Sequence, residues 1–221
     1  MANKKKTAKK QEVHYEKALF IQRLAAYIID IMIISVVVSL FSYPFLDNES
    51  IQKLDNQAME VAEEYVAGDI ESSDYISESI SISYELARKN GVVTLITVFL
   101  NILYFIIYQL RKGGQTLGKM VMRIKVVSVD GGELGVNQMT FRSLIINSIL
   151  VDMISFAILL FANDTVYFYG VGTLSMIQSV IIFASALMVM FGAKRQGIHD
   201  LVAHTEVVRT DLVKEMEVCE N

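Results

Sequence analysis

Four stretches of the chain, residues 20–42, 91–110, 141–161 and 171–193, are nearly continuous runs of apolar side chains. Each is long enough to cross the hydrocarbon core of a bilayer, which takes about 20 helical residues. Buried helices of water-soluble proteins are usually shorter and keep a polar stripe. The last run is apolar all round, with no charge from Val171 to Ala193. The run 141–161 is the most diluted, by Arg142, Asn147, Ser148 and Asp152. The pattern predicts an all-α membrane protein built as a four-transmembrane-helix bundle.

Between the runs the pattern changes twice. In the 43–90 loop, Ile51, Leu54, Ala58, Val61, Ala62 and Tyr65 recur at helical spacing, and so do Ile76, Ile80, Tyr84 and Ala87. Gly68-Asp69 can turn the chain between them, and Asn90-Gly91 marks a break before the second run. An extracytoplasmic helical loop of two amphipathic helices is therefore expected. The 111–140 loop is different. Val121 to Val129 is β-branched and alternates in part, Asp130-Gly131-Gly132 is a hairpin turn signal, and Glu133 to Val136 could return as a short strand. Thr205 to Arg209 also reads as a strand, after a short helix within 196–204. These pieces predict a cytoplasmic hairpin in a small cytoplasmic β-sheet, covered by the inner ends of the spans because such a sheet needs an apolar partner.

Charge fixes the orientation of this arrangement. The four runs hold only Arg23, Asp30, Arg142 and Asp152 among the 44 Asp, Glu, Lys and Arg residues of the chain. Residues 1–19 carry six lysines, the 111–140 loop five basic residues and the 194–221 tail four, against three in the 43–90 loop and none in 162–170. Basic flanks stay on the cytoplasmic side, so both termini are expected in the cytoplasm of a cell-membrane protein. The divisions are a basic N-terminus (1–19), a membrane domain (20–193) and a C-terminal segment (194–221). The first run is too long for the apolar core of a signal peptide and is expected to be retained. The 43–90 loop has eleven acidic and three basic residues, which suits a solvated face over the bundle.

Few conventional chemical motifs survive inspection. Gly113-Gly114-Gln115-Thr116-Leu117-Gly118-Lys119 nearly spells a phosphate-binding loop, but Met120 stands where a Ser or Thr would hold Mg²⁺. It also follows an apolar helix rather than a strand. Its glycines are better suited to a sharp turn at the membrane surface, with Lys119 among lipid headgroups. His199 and His204 are five apart, on different helical faces, and Cys219 is the only cysteine. No metal site, no cofactor, no nucleic-acid partner and no enzymatic activity are expected.

The charges inside the runs carry the chemistry. A charge at the bilayer centre costs about 2.5–3.5 kcal/mol even on gentle insertion scales, so it usually faces protein or water. Arg23 and Asp30 lie seven residues apart, roughly 10 Å along a helix, too far for a direct ion pair. Each needs another partner, and Arg23 can snorkel toward the inner surface. Asp152 sits in the third run at a depth similar to that of Asp30, and Arg142 enters that run as Arg23 enters the first. Asp30, Asp152 and Arg142 are the candidate ion or proton site, because two nearby desolvated carboxylates can exchange a cation for protons.

Four ordered blocks resemble the RDD family of multi-pass membrane proteins. They are Phe20-Ile21-Gln22-Arg23-Leu24-Ala25-Ala26-Tyr27 leading to Asp30; Gly114 to Lys119 followed by Arg123-Ile124-Lys125-Val126-Val127; Phe141-Arg142; and Arg195-Gln196-Gly197-Ile198-His199-Asp200 ending in Thr205. The resemblance places the signature arginine and two aspartates on Arg23, Asp30 and Asp200, and implies a bacterial host. It departs at the long acidic 43–90 loop. The family implies no settled activity; cation–proton exchange and ligand transport have been suspected. Two functions follow as expectations: transport of a small cation or proton through a polar intramembrane site, or a non-transporting membrane assembly or regulatory subunit in which Arg23, Asp30 and Asp200 are structural and Arg23 could pair with the Asp200 segment at the inner surface. Either calls for the lipid bilayer and for a second copy or a partner membrane protein.

Overall fold

The computed structural model describes residues 14–214, so the lysines before His14 and Cys219 lie outside the described residues. The first apolar run is helix α1 (Phe20–Ser42), preceded by strand β1 (His14–Lys17). A 3₁₀ turn at Tyr43–Phe45 carries Pro44, whose missing N–H suits a helix end. Helices α2 (Asn48–Ala67) and α3 (Ser72–Lys89) then form the pair anticipated between residues 43 and 90. Asp47 caps α2 by accepting a hydrogen bond from the Ser50 N–H, and Gly68 ends it in the left-handed conformation. Tyr65 stacks on Tyr75 across the turn. The α3 hydroxyl of Tyr84 donates to the Ala162 carbonyl at 3.0 Å, fastening this pair to the far end of the bundle.

Helix α4 (Gly91–Arg111) is the second run, with a π-helical stretch over Leu103–Tyr108. After it come the short helix α5 (Leu117–Val121), strand β2 (Ile124–Ser128), helices α6 (Val136–Ile146), α7 (Ile149–Phe161) and α8 (Asp164–Phe191), helix α9 (Ile198–Val202) and strand β3 (Thr205–Lys214). Three helical segments are long and apolar enough to cross a membrane, or four if the bent pair α6–α7 counts as one span. Their outer faces present apolar side chains, among them Met32, Leu40, Phe161 and Phe183. A water-facing protein does not leave so much apolar surface uncovered.

The third run departs from the expected straight span. It bends by 67° between α6 and α7, where Ser148 adopts a left-handed conformation at φ 55°. The Asn147-Ser148 dilution falls at this bend. Backbone groups freed within a membrane need partners from neighbouring helices, and the α8 residue Gln178 donates its side-chain amide to the Ile145 carbonyl. Arg142 therefore lies on α6, while Asp152 lies on α7 beyond the bend.

The small sheet also differs in detail from expectation. Its order is β1-β3-β2, with both outer strands antiparallel to β3. Ile124 faces Arg209 and Ser128 faces Thr205 across the β2–β3 pair. Residues 133–136 do not return as a strand, because the free edge of β2 is already taken: the Val126 N–H donates to the Gly114 carbonyl at 3.0 Å. The third strand comes instead from His14–Lys17. Ile124, Val126 and Val207 on one sheet face pack with Ala26 of α1, Ile106 of α4 and Met139 of α6, which supplies the apolar cover that the sheet requires.

Gly114 has φ 87°, and a Cβ there would stand 2.1 Å from the Val126 carbonyl oxygen. Gly131 also has a positive φ, 66°, but open space around it. Gly114→Ala should therefore destabilise the detergent-solubilised protein by about 1–3 kcal/mol more than Gly131→Ala, the overlap term alone. Equal losses in thermal or denaturant unfolding would show that the 113–114 turn does not pack against β2 as described.

Candidate functional site

Two buried carboxylates organise the basic end of the bundle. Asp200 sits in α9, where the preceding Gly197 N–H donates to its Oδ2 at 3.1 Å. The Arg23 guanidinium, from the first turn of α1, donates to the same oxygen at 2.8 Å, and Arg142 from α6 is ion-paired with Oδ1. Asp200 is fully buried and both arginine side chains nearly so. One carboxylate thus joins α1, α6 and α9.

The rest of the segment 195–205 is held by the same groups. Arg23 also donates to the Arg195 carbonyl at 2.7 Å, and Arg142 to the Thr205 hydroxyl at 3.2 Å. The Gln196 side-chain amide donates to the Thr205 carbonyl at 3.1 Å. Ser185 of α8 accepts from the Ile198 N–H at 2.9 Å and lies 2.8 Å from His199 Nδ1. A Cβ on Gly197 would come within 2.3 Å of that hydroxyl oxygen, so only glycine lets the segment lie this close to α8.

Asp30 forms a second, separate centre. Its Oδ1 accepts from the Tyr104 hydroxyl at 2.7 Å and from the Gly118 N–H at 2.8 Å, and its Oδ2 accepts from the Thr116 hydroxyl at 2.5 Å. Lys119 Nζ is 4.0 Å from Oδ2. Thr116 is also the N-cap of α5, accepting from the Lys119 N–H. A Cβ on Gly118 would overlap the Ala26 carbonyl oxygen at 2.1 Å, so α5 can rest on α1 only with glycine there. The near phosphate-loop sequence is thus a socket for Asp30 of the first span, α1. Tyr104 belongs to the π-helical stretch of α4, a departure from α geometry often found at functional positions.

The residues marked in the sequence do not converge as the candidate ion site required. Arg142 serves Asp200, not Asp30 or Asp152. Asp30 is occupied by Tyr104, Thr116 and Gly118, and the Asp152 carboxylate makes no hydrogen bond or ion pair with a described residue. The bend before α7 separates Asp152 from the α6 residues of the Asp200 centre. Arg23 and Asp200 do meet. Lys119 is corrected too: its side chain is tucked beside Asp30 and only 15% exposed, rather than spread among headgroups. Its burial, with Arg142 nearby, pushes its ammonium down to about 7, and Asp30 opposes that shift. No group of three or more His, Cys, Asp or Glu side chains suited to a metal ion occurs among the described residues.

Ser185 and Tyr104 escaped the sequence reading, since each meets its partner outside its own helix, 14 and 74 positions away. Ser185, His199 and Asp200 are aligned like a hydrolytic triad. The alignment fails chemically: His199 Nε2 is 3.6 Å from Asp200 Oδ2, beyond hydrogen-bond length. Burial, then Arg142, Arg23 and Lys119, keep the imidazole well below its usual pKa, the opposite of what a proton-accepting base needs.

Taken together, a set of apolar spanning helices tied by charged groups buried between them defines an integral multi-pass membrane protein. Residues 17–204 match the RDD family, and the chain belongs to it. No curated protein and no solved structure matches.

Removing the Asp200 charge leaves two buried guanidiniums without a counterion, so Asp200→Asn should cost about 3–5 kcal/mol. Asp152→Asn should change stability by less than about 0.5 kcal/mol; similar losses for the two would refute the assignment. His199 contributes a pH dependence of known sign. The unfolded chain protonates near 6.5 while folded His199 stays neutral, so its contribution is complete above that pH and declines as the pH falls below it. His199→Gln should flatten the loss of stability between pH 7 and 5; an unchanged slope would exclude His199 as its source.

Proposed function

We propose that this RDD protein is a non-transporting membrane subunit that assembles with or regulates a partner membrane protein. The observation that carries the reading is the complete engagement of Asp30: both of its oxygens accept hydrogen bonds from the protein's own donors. A transported cation would have to displace a hydroxyl, a tyrosine and a backbone amide. Such donors make the carboxylate an interhelical tie. The reading is also non-enzymatic, in keeping with the neutral, unoriented His199 beside Ser185.

In this reading α1, α4, the bent pair α6–α7 and α8 cross the cell membrane. The sheet and both termini face the cytoplasm, and α2–α3 faces outward. The balance of basic residues supports that orientation. The acidic pair α2–α3 and the cytoplasmic sheet are then the surfaces available to a partner.

A second reading, proton or cation transport, draws on one feature. Asp152 lies in an apolar helix and has no side-chain partner among the described residues, and an unpaired carboxylate in such a helix is a functional candidate by default.

Reconstituted into liposomes with a trapped pH dye, the protein should give no proton movement above empty vesicles under imposed Na⁺ or K⁺ gradients. Cation-dependent flux abolished by Asp152→Asn would overturn the subunit reading in favour of transport. For orientation, in a Cys219→Ser background, Ser72→Cys should react with an impermeant maleimide on intact cells. Gly131→Cys should react only after the membrane is opened. The reverse pattern would invert the topology.

A further inference from the structure

The charged centres border a partly open cavity of about 210 Å³ between α1, α4, α6 and α8. Its walls are apolar and include Leu24, Tyr27, Ile145, Ile182, Ala186 and Val189. Arg23, Arg142 and Lys119 line it as well. We propose that this cavity holds an anionic membrane lipid, its phosphodiester headgroup on the three cations and an acyl chain along the apolar walls.

Charge balance is the first argument. Two guanidiniums, Arg23 and Arg142, share the single carboxylate of Asp200, while Asp30 lies 4.0 Å from Lys119. His199 is neutral, and Glu206, the other carboxylate near Arg23, is engaged by Lys17 at 3.1 Å. One positive charge is left over in a poorly solvated space, where an unpaired charge is expensive. The Arg23 Nε is buried and has no acceptor among the described residues. A monoanionic headgroup supplies both the missing charge and the missing acceptor, and arginine is well suited to phosphate oxygens.

Position and wall chemistry select a lipid over a free anion. Arg23 is three residues into α1, roughly 5 Å along the helix, which places it at the level where lipid headgroups meet the hydrocarbon. A hydrated inorganic anion gains nothing from aliphatic walls, whereas an acyl chain leaves water by entering them. The inference is independent of the function proposed above, because a subunit or a carrier could hold such a lipid.

The purified full-length protein in a neutral detergent is titrated with phosphatidylglycerol, phosphatidylcholine or inorganic phosphate while its thermal unfolding midpoint is read. Phosphatidylglycerol should raise the midpoint saturably, and the other two should not. Lys119→Gln removes one charged donor and leaves the Asp30 hydrogen bonds from Tyr104, Thr116 and Gly118, so it should weaken the apparent affinity about tenfold. Ala186→Phe fills the apolar wall and should abolish the response. Should that variant not fold, Lys119→Gln together with the lipid comparison still decides. Equal stabilisation by phosphatidylcholine, a response to phosphate alone, or an unchanged affinity in Lys119→Gln would each overturn the proposal.

Discussion

A carboxylate that cannot reach water must find its counterions inside the protein, and Asp200 finds two. Arg23 and Arg142 converge on it from α1 and α6, helices that lie far apart in sequence. Asp200 is indispensable to both, since without it two guanidiniums would be buried with no counterion. The penalty for that state is larger than any single apolar contact in so small a bundle. The constraint fixes how the segment 195–205 returns beneath the spans, and hence where β3 begins. The sheet inherits its position from this, because β3 is the strand on which both β1 and β2 pair.

Asp30 works in a different chemical manner. It faces no arginine and is satisfied mainly by hydroxyl and amide donors, with the Lys119 ammonium further off. It therefore docks a short helix onto the side of a spanning one, and the loop that follows α4 is pulled back against α1. Gly114 and Gly118 permit the two closest approaches in that loop, one to β2 and one to α1. The Gly-rich block that resembles a nucleotide loop is thus explained by proximity of backbone to backbone. Lipid outside and buried charge within then act together: apolar outer faces keep the helices in the membrane, and the ties at the basic end set their register.

Much of this was legible in the residues. Continuous apolar length gave the spans because a bilayer demands it of any helix that crosses, and α1 occupies the same residues, 20–42, as its apolar run. The amphipathic spacing of Ile51 to Tyr65 and of Ile76 to Ala87 appears as α2 and α3. The need of Arg23 and Asp30 for separate partners followed from helix geometry, whereas the meeting of Arg23 with the Asp200 segment was an option opened by the family resemblance that marked Asp200. The pairing of Asp30 with Asp152 did not follow. Equal depth in two helices says nothing about which faces meet, and the break at Ser148 moved Asp152 onto a differently directed helix.

The sequence by itself determined the membrane-embedded helical class, the helical pair α2–α3, strands β2 and β3, and which ionisable groups would need partners, because burial in lipid and local periodicity act on neighbouring residues. Only the tertiary structure decided which partners those groups found, that β1 and not 133–136 completes the sheet, and that Ser185, Tyr104 and Lys119 belong to the charged centres. Those outcomes depend on which edge of β2 is already filled and on which helix faces are brought into contact. Such contacts, from 14 positions apart for Ser185 and His199 to 74 for Tyr104 and Asp30, leave no periodic trace along the chain.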